Sequence, residues 1–260
     1  MAVTREVFWS VSKDMQYLFY GAAALSTLLF LYGMWRRMSL WTKGRAGREF
    51  RGYRTQDFLI YALRNLFSRE CLSARRSFSL AGYRGLMLIL IVWGFLTLFA
   101  GTALLTIHHY FTHFLEGRVY LIYSMLLDLA GGLLLIGLLI SIGRRHLVAE
   151  VRQSTDLEDL LFLYTLLFIA ITGFAIEGLR LLELSPASMD YSFIGAFAAA
   201  LLRALGANGA EAYTLVWSLH VTAVLILIAA LPYSKFFHMF SSQITTAAAR
   251  ERYGGASGDR

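Results

Sequence analysis

The residues best suited to chemistry are six histidines: His108, His109, His113, His146, His220 and His238. None falls into an HExxH or zinc-type spacing, so they do not point to a hydrolytic metal centre. A lone histidine in a membrane helix is more often an interhelical hydrogen-bond partner than a ligand, but the placement here shifts that balance. His220 and His238 lie 18 residues apart in the apolar stretch YTLVWSLHVTAVLILIAALPYSKFFH. At 3.6 residues per turn that is five whole turns, so a continuous helix puts both imidazoles on one face, about 27 Å apart along the axis. That distance is close to the thickness of a hydrocarbon core. Two imidazoles on one stripe, one near each membrane surface, suit electrons crossing a bilayer between haems.

His108 and His109 close another apolar stretch at a depth similar to that of His220. Two helices then offer imidazoles at one level, as bis-histidine ligation of a haem b requires. Gly94, Gly101 and His108 recur every seven residues, a shared face on which a macrocycle can approach the backbone, which favours His108. His109 points about 100° away and reaches the same ligand only if the helix end unwinds. His113, beyond the helix, reads as a surface residue or a quinone neighbour. Charged residues inside apolar spans are functional candidates by default. Asp128 shares a stripe with Ser124, Gly131, Gly132 and Leu135, so it faces other helices. Glu177 and Arg180, three apart, form either a structural ion pair or a proton acceptor with a propionate or quinone anchor. Tyr120 and Tyr123 read as members of an interfacial aromatic belt.

The elements that must position these residues are membrane helices. Mean hydropathy is +0.56 and 57% of residues are hydrophobic, the composition of a polytopic membrane protein. Five apolar spans emerge, at about 16–35, 86–108, 119–143, 159–182 and 213–237, each long enough to cross a bilayer. The expected fold is an all-α integral membrane bundle of five transmembrane helices, one domain over residues 1–252, with a Gly-rich disordered tail at 253–260. The connection from Arg36 to Arg84 holds 12 of the 24 basic residues. Arg144, Arg145 and Arg152 follow the third span, and Lys235, Arg250, Arg252 and Arg260 cluster at the C-terminal end. With five spans all three groups share one side, which puts the N-terminus outside and the C-terminus in the cytoplasm.

This placement argues against nucleic acid as the partner of the +7 net charge. Within the basic loop 36–84, TQDFLIYALRNLF (Thr55–Phe67) has helical apolar spacing. It reads as an amphipathic helix on anionic lipid, as a docking platform for a cytoplasmic partner, or as both. The single Cys71 excludes an internal disulfide and any iron–sulfur cluster held by this chain alone. Electrons moving here need another polypeptide to supply or receive them.

Five spans, an outside N-terminus and His-x17-His on span five resemble the cytochrome b (gamma) subunit of respiratory nitrate reductase. Four segments are similar to one branch of that superfamily: GLMLILIVWGFLTLFAGT (Gly85–Thr102), IHHYFTHFLEGRVYLIYSMLLDLAGG (Ile107–Gly132), the GRRH ending span three and TGFAIEGLR (Thr172–Arg180). The branch is the haem b membrane module of heterodisulfide-reductase-like iron–sulfur oxidoreductases, and the resemblance runs from about Leu86 to His238. It implies a multi-pass subunit of a bacterial or archaeal cytoplasmic (inner) membrane. Such a subunit passes electrons between menaquinone or ubiquinone and an HdrD-like cytoplasmic iron–sulfur subunit, through one or two b haems. His220 and a histidine at the end of span two match the outer ligands, and His238 matches the span-five ligand of the inner haem.

The inner partner in relatives lies where this chain has Leu88, and the nitrate reductase pattern has a histidine where Thr102 stands. Three accounts remain: the inner haem is absent, His146 pairs with His238, or the partner's cluster approaches the outer haem. Outside this class, a haem-free anchor for a cytoplasmic reductase is the alternative. A proton or ion transporter using Asp128 and Glu177 lacks the paired broken helices such proteins show.

Overall fold

The computed structural model describes residues 8–43, 82–183, 186–207 and 209–237, and every regular element among them is helical. The helices are α1 (Lys13–Lys43), α2 (Gly82–Ile107), α3 (Gly117–Leu147), α4 (Ala149–Gln153), α5 (Leu157–Glu183), α6 (Phe193–Ala204) and α7 (Gly209–Ala230). A π-helical turn, His108–Thr112, extends α2, and 3-10 turns cover Pro186–Tyr191, Leu231–Tyr233 and Lys235–Phe237. Five stretches are long and apolar enough to cross a membrane: Lys13–Arg37, Gly85–Thr112, Gly117–Leu147, Leu157–Glu183 and Gly209–Tyr233. Helix is what such sequences must form in lipid, because each backbone N–H and C=O is then paired within its own segment. The basic connection between α1 and α2 at positions 44–81, with its Thr55–Phe67 segment, lies outside the described residues, as do His238 and the tail 253–260.

The chain divides into two compact units, Met1–Tyr20 with Arg76–Val224, and Gly21–Arg75 with Leu225–Arg260. In the first, α2 packs on α3 through glycine. A Cβ on Gly94 would lie 2.8 Å from the Ala130 carbonyl oxygen and 2.8 Å from Leu134 Cβ, and one on Gly101 would strike the Leu127 side chain. Small residues at such contacts bring membrane helices to backbone distance, where dispersion replaces the absent hydrophobic drive. On the far side of α3, α5 and α6 pack in the same way, with a Cβ on Gly178 falling 2.8 Å from the Ala199 amide. α3 is the most enclosed of the five spans. α5 starts with Glu158 and Asp159 in its first turn, and the Asp159 carboxylate accepts the Asp156 amide at 3.3 Å. Both features favour the positive end of the helix dipole.

In the second unit, Ser26 Oγ donates to Leu225 O (2.7 Å) and Tyr233 OH to Leu29 O (3.2 Å). Arg37 donates to Tyr233 O (3.1 Å) and sits 5.0 Å from the Phe237 ring centre. One expectation is corrected here. The apolar run predicts a fifth span that stays helical to position 237, but α7 ends at Ala230 and is followed by two 3-10 turns. Pro232 is the reason, since it lacks an amide hydrogen and its ring clashes with the carbonyl four residues back. The five-turn geometry that put His220 and His238 on one face therefore does not run the full distance.

Candidate functional site

His220, on α7, is held by α5. Its Nδ1 lies 2.9 Å from Thr172 Oγ1, and its Cε1 lies 3.4 Å from where a Cβ of Gly173 would stand. Thr172 Oγ1 is also 2.7 Å from the Phe168 carbonyl oxygen. Two oxygens that close need a hydrogen between them, and only the hydroxyl has one, so Thr172 donates to Phe168 and must accept from His220 Nδ1–H. That fixes the tautomer with the lone pair on Nε2, the form in which imidazole ligates a metal.

His108 has the opposite tautomer. It is buried, and its Nδ1 accepts the Leu115 amide at 3.0 Å. A backbone N–H can only donate, so a neutral His108 carries its proton on Nε2. The local fold makes this bond. The π turn closes with His113 N–H donating to His108 O (3.1 Å), and His113 takes a left-handed conformation, φ 43° and ψ 39°. That reversal returns the chain so that Leu115 reaches back to His108. The glycine stripe below His108 is occupied by protein, Leu134 at Gly94 and Leu127 at Gly101.

His109 leaves the same turn in another direction. Its ring meets Phe8 edge-on at 5.9 Å and Tyr110 at 4.7 Å. Phe8 also meets Trp217 at 6.2 Å, and Trp217 stands one turn before His220 on α7. His113 packs edge-on against His108 at 5.6 Å.

The charged candidates gather between α3, α5 and α6. Asp128 is buried, and its two carboxylate oxygens accept the Ile194 and Gly195 amides, each at 2.9 Å. These are orphan donors of the first turn of α6, whose own N-cap, Ser192, makes no side-chain cap bond. Ser192 is instead bonded to Ser124 of α3 at 2.8 Å. The α3 stripe carrying Ser124 and Asp128 thus anchors α6, a helix that the pattern of apolar spans does not predict. Its signal is the apolar run FIGAFAAALLRA, which at 12 residues is too short to span a bilayer.

Glu177 and Arg180 do pair, bidentately, with Nη2 at 2.6 Å and Nε at 3.2 Å. The guanidinium carbon lies 5.9 Å from the Tyr120 ring centre. Arg180 Nη1 and the Tyr120 hydroxyl are buried without a hydrogen-bond partner among the described residues. The aromatic-belt reading of Tyr120 and Tyr123 is corrected: both are buried, and Tyr123 donates to Gly101 O at 2.9 Å. At the other end of α3, His146 Nε2 and Tyr164 OH are hydrogen-bonded at 2.8 Å. Leu88, on α2, is exposed. Among the described residues no three His, Cys, Asp or Glu side chains gather as a metal cluster would. A haem needs only two axial ligands and so makes no such cluster.

Residues 77–250, about two thirds of the chain, match the family model of the nitrate reductase gamma subunit. Two known proteins are similar over most of this chain. One is the EtfAB:quinone oxidoreductase of Syntrophomonas wolfei subsp. wolfei, 25% identical over 244 residues, covering 88% of this chain and 33% of that protein. The chain therefore spans about a third of that relative's length. The other is a subunit of the dihydromethanophenazine:CoB–CoM heterodisulfide reductase of Methanosarcina thermophila, 26% identical over 260 residues, covering 87% of this chain and 89% of that polypeptide. With its five apolar spans and the reach of the family match, this multi-pass membrane protein belongs to the nitrate reductase gamma subunit family.

Proposed function

We propose that the protein is the haem b membrane subunit of a respiratory oxidoreductase complex of the cytoplasmic membrane. It passes electrons between a quinone pool and a cytoplasmic HdrD-like iron–sulfur partner. The observation that carries this reading is the tautomer of His220, set by Thr172 so that the metal-ligating nitrogen bears a lone pair. The two relatives support it, one named as a quinone oxidoreductase and the other as a subunit of a heterodisulfide reductase. Bound haem b would supply a reversible one-electron carrier.

We assign its axial positions to His220 and His109. His108 would have to break its bond from Leu115 to offer a nitrogen, whereas His109 faces the aromatic side chains beside Trp217. In this reading Arg180 Nη1 and Tyr120 OH, both buried without a hydrogen-bond partner among the described residues, bind an acceptor oxygen, a quinone carbonyl or a haem propionate. Glu177 is the proton group beside them, and His113 borders the same end. Both oxygens of Asp128 cap α6, so its part is to hold that helix. For the inner site we take the first account, one haem only. Position 88 is leucine, and His146 is hydrogen-bonded to Tyr164. The basic connection faces the cytoplasm and meets both anionic lipid and the partner.

Adding a short-chain menaquinol or ubiquinol to the purified, oxidised protein tests the reading. A b-type α-band should appear on mixing. A preparation with no b-type spectrum, as from a haem-free anchor, or one whose spectrum ignores every quinol, would sink it.

A further inference from the structure

We propose that Thr172 is a positioning residue for electron transfer, one that orients His220 and tunes its strength as a ligand. This rests on the assignment of His220 above and adds a residue whose role lies wholly in its hydrogen bonds. The Thr172 hydroxyl accepts from His220 Nδ1–H at 2.9 Å while its own proton is held by the Phe168 carbonyl at 2.7 Å. Because that carbonyl polarises the hydroxyl, its oxygen is a better acceptor than a free alcohol. Drawing Nδ1–H toward an acceptor raises electron density on the ring, which strengthens Nε2 as a donor and favours ferric over ferrous iron.

Three further features fit. Thr172 is buried, so water does not compete for Nδ1. Threonine rotamers are few, which keeps the hydroxyl in place. Gly173, next in sequence, brings the α5 backbone up beside the ring, close enough that a Cβ there would be in van der Waals contact, 3.4 Å from His220 Cε1. The Thr-Gly pair thus makes a seat on α5 for one edge of an imidazole carried by α7.

The test compares Thr172→Val, which keeps the shape and loses the hydroxyl, with Thr172→Ser, which restores it, and with His220→Ala. Haem retention on dilution, the midpoint potential and the low-spin electron paramagnetic resonance spectrum are read for each. Thr172→Val should fold and carry haem, bind it roughly tenfold more weakly or worse, and show a raised midpoint potential. Thr172→Ser should return both values toward those of the unmodified protein. If His220→Ala loses the haem while Thr172→Val leaves potential, spectrum and retention unchanged, this proposal is wrong and the haem assignment stands. If His220→Ala keeps its haem spectrum, both fall.

Discussion

At the scale of single residues, hydrogen bonds separate histidines that sequence spacing could not. His108 and His109 are adjacent, and the seven-residue stripe Gly94, Gly101, His108 favours the former. In the folded chain those glycines admit the side chains of α3, and His108 receives the Leu115 amide. We therefore expect His109→Ala to abolish the haem spectrum and His108→Ala to leave it largely intact, as read from reduced-minus-oxidised difference spectra. The reverse result would return the ligand to His108. Asp128 gives a second prediction at this scale. Asp128→Ala removes the acceptor for two buried amides and should destabilise the protein by about 2 kcal/mol or more. That would appear as a lower melting temperature in detergent, with the haem spectrum retained. Loss of quinol reactivity at unchanged stability would instead make Asp128 part of the quinone site.

At the scale of elements, close approach of helices is what the sequence expressed least directly. The five spans were legible because their apolar runs are long, and the described helices overlie all five. Three features were not legible, each for a physical reason. α6 is too short to register as a span, and its anchoring depends on Asp128, 65 positions before its first residue, Phe193. The end of α7 at Ala230 turns on one proline inside an otherwise continuous apolar run. Tyr120 and Tyr123 lie in a stretch whose aromatic content fits a belt, and only the packing of α2 and α5 against α3 encloses them.

Gly94 tests the packing account. Gly94→Val would place a Cβ 2.8 Å from backbone and side chain of α3, overpacking that costs on the order of 1–3 kcal/mol. Gly21→Ala, inside α1 with nothing within 4 Å of the new Cβ, should be neutral to stabilising, by up to about 1 kcal/mol. Thermal unfolding of the two variants side by side distinguishes steric closeness from a general cost of losing glycine.

At the scale of the whole molecule, the charge distribution carries the reading of orientation. Counting five spans along the sequence puts the basic residues of Arg36–Arg84 and of the two later groups on one side, which we propose is the cytoplasm. A green fluorescent protein fused after Arg260 should fluoresce, and an alkaline phosphatase fused there should be inactive. The opposite pattern would invert the assignment and move the proposed iron–sulfur partner to the other face.

Haem content reads the central claim most directly, because that claim is one b haem between α2 and α7. Pyridine haemochrome analysis of the purified chain is predicted to give about one haem b per polypeptide. About two would mean that an inner site persists despite Leu88, and none would contradict the haem-bearing account itself.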